Sequence, residues 1–182
     1  VGQVRILQVG LGSNGTEWFP RGILKGPGPS REEKTSLAMS SDGKRLAVGY
    51  YESEGGVVQL FERDDERGTF SDTVATEFVG DVDAWHGHSV DLSSDGTILA
   101  IGAPRTDTAN GIRSGAVRIF QKIDSNWTQL GNDIEGKADN EFFGWSVSLR
   151  ATDGLRVAVG SPDVVYGGGS VRVYDWSSGE FW

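Results

Sequence analysis

The chain has 182 residues, with 17 basic and 26 acidic side chains and a formal net charge of −9. A chain this acidic repels phosphate backbones and anionic lipid, which excludes general nucleic-acid binding and charge-driven membrane attachment. Cysteine is absent, so disulfides, thiolate metal sites and thiol nucleophiles are excluded, and no apolar run reaches the ~20 residues of a membrane span.

Glycine accounts for 27 residues, about twice its ordinary ~7% share. Without a collagen period, this predicts many tight turns between short strands. Val1 to Arg5 carry neither a charged nor an apolar leader and no starting Met, as expected of a mature or excised piece. Gly2-Gln-Val4-Arg-Ile6 then alternates apolar and polar residues behind a glycine, the pattern of a half-buried strand. A second strand-like run follows, from Trp18 to Gly26. Arg31 to Lys34 suit at most one helical turn, and nothing longer has a 3.6-residue period.

Residues 36–39 and 46–49 flank Asp42-Gly43, a strong hairpin signal because glycine accepts the positive φ of a tight turn. Gly56-Val-Val58-Gln-Leu60 repeats the glycine-led strand, and a degenerate copy of the Trp run lies between Phe70 and Gly80. The cycle returns with Asp95-Gly96, Gly115-Ala-Val117-Arg-Ile119 and the run from Trp127 to Gly136. It returns once more with Asp153-Gly154, which carries one extra residue, and with Gly169-Ser-Val171-Arg-Val173.

The leading glycines stand at 2, 56, 115 and 169, at intervals of 54, 59 and 54 residues. Four short strands per interval of this length point to a β-propeller or a related array. The expected fold is all-β, with blades of four antiparallel strands in an incomplete propeller or part of a larger one. The end of one blade falls in residues 1–30, and further blades in 31–80, 81–136 and 137–182. A lone blade cannot bury both faces, so neighbours must stack on it. We expect a fragment of a larger propeller, a subunit completed by other chains (a homo-oligomer or filament among them), or an open array.

The repeats resemble the FG-GAP repeats of integrin-α-like β-propellers. Phe143-Gly144 is the Phe-Gly element and Gly160-Ser161-Pro162 replaces Gly-Ala-Pro. The unit before has Gly102-Ala103-Pro104 but His86-Gly87, and the first has Glu33-Lys34 and Gly49-Tyr50-Tyr51. The resemblance implies propeller blades, extracellular adhesion and calcium held by Asp-rich loops. Each hairpin here offers a single carboxylate, too few for calcium, so those sites are not carried over to the hairpins.

Asp81 and Asp83, and Asp139, Asn140 and Glu141, precede two inner strands. They supply candidate oxygen ligands for calcium, or paired carboxylates for glycosidic chemistry, against the plainer reading of solvated turns. His86 and His88 are the only histidines. With the nearby aspartates they suggest a zinc site, unless they simply fill the positions of Phe143 and Trp145. Trp85, Arg105, Asp107, Arg113 and Tyr166 lie on or beside the longest variable loops, where binding residues gather on a rigid scaffold. Trp145 could join them in contacting a partner or glycan, but like Trp18 and Trp127 it reads first as a packing residue. Asn14-Gly-Thr and Asn126-Trp-Thr are glycosylation sequons at equivalent positions, which favours a secreted or cell-surface location.

The sequence carries no nucleophile elbow, phosphate loop or dinucleotide fingerprint. The leading expectation is a non-enzymatic recognition or adhesion module binding a protein or glycan through loops on one face. A structural subunit of a filament, sheath or shell is the second. A metal-dependent enzyme using His86 and His88 is the third.

Overall fold

The computed structural model describes residues 3–12, 15–25, 34–52, 55–64, 66, 68–70, 73–162 and 168–177. Among them every regular element is a strand. β1 (Gln3–Gly12) and β2 (Gly15–Lys25) form an antiparallel pair. The second sheet contains β3 (Thr35–Met39), β4 (Arg45–Tyr50) and β5 (Val57–Asp64), with β6 (Thr69–Phe70) and β7 (Thr76–Val79) along the far edge of β5. The third repeats this order with β8 (Ser89–Leu92), β9 (Ile98–Ala103), β10 (Ala116–Ile123), β11 (Asn126–Gln129) and β12 (Ile134–Glu135). β13 (Ser146–Leu149), β14 (Arg156–Ser161) and β15 (Ser170–Asp175) form the fourth.

The Asp-Gly hairpins form as expected, and their aspartates act inside the turn. Asp95 accepts from the Ser93 hydroxyl at 2.7 Å and the Thr97 amide at 2.9 Å. Asp42 accepts likewise from Ser40 and Lys44, and these hydrogen bonds, the serine hydroxyl first, hold its pKa below the usual carboxylate range. The third hairpin has the extra residue and replaces the serine with Arg150, which pairs with Asp153.

Three apolar layers lie between the four sheets. Val4, Ile6 and Leu24 meet Leu46, Val48, Tyr50 and Phe61. Ala47, Val58, Leu60 and Phe78 meet Val90, Leu92, Leu99 and Ile101. Ile98, Ala100, Val117 and Ile119 meet Phe143, Leu149, Val157 and Val159. Alternate residues of β4 and β9 thus face opposite neighbours, and both strands are buried on both faces. Each such Val, Leu or Ile contributes about 1.5–3 kcal/mol on leaving water.

Glycines set the spacing at the inner end of these layers. The Gly87 and Gly144 turns adopt φ of 86° and 90°. Their carbonyls accept from Ser36 Oγ at 2.7 Å and Ser89 Oγ at 2.9 Å in the preceding sheet. A Cβ on Gly49 or Gly102 would collide with the same carbonyl oxygens. His86 and Phe143 precede the two turns, and both are buried.

Neither ring nitrogen of His86 has a partner. Burial, reinforced by the Arg118 guanidinium and opposed by Asp81 and Asp133, lowers its pKa to about 4 from 6.5. As pH falls below 6.5 the unfolded chain takes up a proton that the folded chain refuses until about 4, so stability declines through this window.

Two predictions follow from the packing. Gly102→Ala forces a backbone carbonyl to move and should destabilise by ~1–3 kcal/mol in urea unfolding, whereas Gly160→Ala, which meets only the Ser146 hydroxyl, should cost far less. His86→Phe, which copies the next repeat, should remove the loss of ~3 kcal/mol expected of the native chain between pH 6.5 and 4; unfolding midpoints across that range measure it.

Candidate binding face

The register places the starts of β8 and β10 and the ends of β9 and β12 at one end of the third sheet, with Ser89 opposite Gly102, Ala116 opposite Ala103 and Val117 opposite Ile134. Residues 81–88, 104–115 and 136–145 therefore emerge on one face. The Asp-Gly hairpins and Asn126 lie at the opposite end. Asn126 is exposed at the head of β11, while Asn14 and Tyr166 fall outside the described residues.

The loop 104–115 is fixed at both flanks. The Arg105 amide donates to the Ala84 carbonyl at 3.1 Å, and the Gly115 amide to the Thr106 carbonyl at 3.0 Å. Thr108 and Gly111 exchange backbone hydrogen bonds at its tip. Asp107 accepts from the Arg113 amide at 2.7 Å, a tie that holds Arg113 at a φ of 51°. On the other flank Asp139 accepts from the Ile112 amide at 2.8 Å, and the Asn140 amide donates to the Ile112 carbonyl at 2.8 Å. Glu141 binds the Lys137 amide and the Arg172 guanidinium. Asp139 and Glu141 thus hold loops together.

Between this loop and the turn at 81–84 lies a cleft of about 470 Å³, lined by Asp81, Val82, Asp83, Ala84, Arg105, Thr106, Asp107, Ile112 and Arg113. Five of the residues singled out in the sequence, Asp81, Asp83, Arg105, Asp107 and Arg113, meet here. Asp81 pairs with Arg118 at 3.0 Å, and Arg118 also reaches Asp133 at 2.9 Å. Burial tends to lower the Arg118 pKa, but Asp133 and then Asp81 outweigh it and raise the pKa above the usual value. Val82 and Ile112 are exposed at the rim.

The Arg105 guanidinium stacks on the Trp85 ring, 3.7 Å from its centroid, and so connects the cleft to an aromatic shelf. Trp85 and His88 stack with centroids 5.7 Å apart, and His88 meets Tyr51 at 4.6 Å and Trp145 at 4.4 Å. Phe142 meets the Trp145 ring edge-on at 6.2 Å. Trp145 is 39% exposed and presents the most open large ring of the shelf. Tyr51, His88 and Trp145 come from three successive sheets. Tyr51 was not singled out by the sequence, and Trp145, weighed as a ligand contact, read there as a packing residue; the signal for Trp145 was its alignment with His88 immediately before an inner strand.

His86 and His88 do not converge on a metal. The positive φ of Gly87 breaks strand alternation, so that His86 is buried while His88 lies on the shelf. They stand at the places that Phe143 and Trp145 hold in the next repeat. The His88 Nδ1–H donates to the Trp145 carbonyl at 3.0 Å. Burial is the largest influence on His88 and keeps its pKa below the ordinary value. Among the described residues no three His, Asp or Glu side chains come together to hold a metal ion. The face therefore offers two guanidiniums, three carboxylates and an aromatic shelf, a surface suited to holding a ligand.

No protein-family model matches the chain, and no curated protein matches it. Among solved structures it is similar to hydrazine synthase of Kuenenia stuttgartiensis, with 17% identity and a TM-score of 0.52 over 86% of this chain and 37% of that one. It is also similar to the Cps50 (Swd1) β-propeller domain of Myceliophteria thermophila, with 11% identity and a TM-score of 0.53 over 98% of this chain and 53% of that one. The chain thus spans 37% and 53% of these two structures. At such identities the likeness concerns the fold. The four stacked sheets are blades, and the chain is an all-β, partial β-propeller.

Proposed function

We propose that the chain is a non-enzymatic recognition module that binds a protein or glycan through the face bearing the cleft and aromatic shelf. One observation carries the reading: a cleft of mixed charge opens between two braced loops beside aromatic rings gathered from three blades. Rigid loops lose little conformational freedom on binding, and Trp, Tyr and Arg are the side chains enriched where binding energy concentrates. FG-GAP-like blades fit this use, with Phe143-Gly144 and Gly102-Ala103-Pro104 as their marks. The two sequons at equivalent positions favour a secreted or cell-surface setting, and Asn126 lies away from the binding face.

The test is a screen of glycan arrays and extracellular protein domains, followed by titration of whatever is captured. Arg113→Glu and Trp145→Ala should each weaken binding about tenfold or more, a loss of ~1.4 kcal/mol, while Thr128→Ala at the opposite end leaves it unchanged. Silence on both arrays, or a ligand indifferent to both face substitutions, would overturn the proposal.

A further inference from the structure

The two seams between complete inner strands share one device. Ser36 and Ser89, each the second or first residue of its inner strand, stand opposite Gly49 and Gly102 in register. Between each pair sits the carbonyl of a glycine turn from the following blade, Gly87 in one seam and Gly144 in the other. In the fourth blade Ser146 stands opposite Gly160 in the same register. Among the described residues a Cβ on Gly160 would meet Ser146 alone and nothing from another blade. The cradle is built, and among the described residues no carbonyl lies in it.

The apolar surround repeats the pattern. Val117 and Ile119 lie opposite Gly102 and Ala100, and both are 0% exposed beneath the next blade. Their counterparts Val171 and Val173, opposite Gly160 and Ala158, are 72% and 60% exposed. A second copy of the chain offers no matching turn among its described residues. Gly87 and Gly144 are already seated, the second blade has Lys34 at the equivalent place, and the first has only β1 and β2.

We infer that the face of β13–β15 turned away from the third blade is a docking surface for a further four-stranded blade. A glycine carbonyl just before that blade's inner strand seats between Ser146 and Gly160, and its apolar side chains cover Val171 and Val173. This inference rests on the seams and not on the cleft, so either can fail without the other.

The test extends the 182-residue chain by a second copy of residues 129–177 placed after Trp182. The join keeps the 54-residue repeat, since Trp182 aligns with Thr128 as Gly169 aligns with Gly115, and the added segment brings its own Phe-Gly turn. The extended chain should unfold at higher urea than the original. In it Gly160→Ala should lower the urea midpoint as Gly102→Ala does in the original chain, while in the original chain Gly160→Ala leaves the midpoint nearly unmoved. An extended chain no more stable than the original, or a Gly160→Ala effect equal in both, would overturn the inference. Concentration-dependent dimerisation of the original chain that Val173→Asp abolishes would overturn it too, by assigning the face to a second copy.

Discussion

The structure depends on the close approach of backbone to backbone where one blade meets the next. A four-stranded sheet with apolar residues on both faces gains little until both are covered, and covering them brings the inner strands close enough for side chains to obstruct. Gly49 and Gly102 remove the obstructing Cβ, and Ser36 and Ser89 satisfy the carbonyl that enters the space. A buried carbonyl without that hydroxyl would carry an unmet acceptor, so one serine and one glycine are needed together. The opposite end of the same seam is polar. Glu62 there takes both Arg45 at 3.1 Å and Lys122 at 2.5 Å, the latter from the next blade.

Much of this was legible in the sequence because the backbone demands recur. The Asp-Gly turns, the glycine-led strands and their spacing fixed the strand order and the all-β class. The outer strands were less legible. The run from Trp127 to Gly136 is split, with β11 and β12 separated by a segment whose Leu130 amide still reaches the Ile119 carbonyl at 2.7 Å. The copy that looked degenerate makes the same shape without tryptophan, since the Ala75 amide reaches the Leu60 carbonyl at 2.9 Å. What the outer strand must supply is one inward apolar side chain, Phe78 or Ile134, and many sequences meet that demand.

The candidate face was legible in part. Loop length and charge singled out Arg105, Asp107 and Arg113, and the acidic turn singled out Asp81 and Asp83; these five meet in one cleft. The roles of Asp139 and Glu141 were hidden because their partners are distant in sequence: the Ile112 amide for one, Arg172 for the other. Nor does sequence alone reveal the positive φ of Asp83, Trp85, Asn140 and Phe142. These residues lie in two turns of the same hydrogen-bond pattern, each closed by an amide three residues on, from Ala84 to Asp81 and from Glu141 to Ala138. The torsions come from the path between blades, and the residues tolerate them at a cost.

The same turns separate what the repeat must keep from what it can vary. Glycine at 87 and 144 and serine at 36 and 89 answer to the seam, and a change there disturbs two blades. The flanking positions behave differently. His86 and Phe143 occupy equivalent buried places, yet one is a polar ring without partners and the other an apolar ring in contact with Tyr174. His88 and Trp145 occupy equivalent exposed places and meet across the blade boundary with centroids 4.4 Å apart. A substitution at 88 or 145 therefore alters the exposed surface of this face while the carbonyl one residue earlier remains in its cradle. The chemistry of this face can change from blade to blade on a backbone whose spacing is set elsewhere, by glycine and serine at the seam.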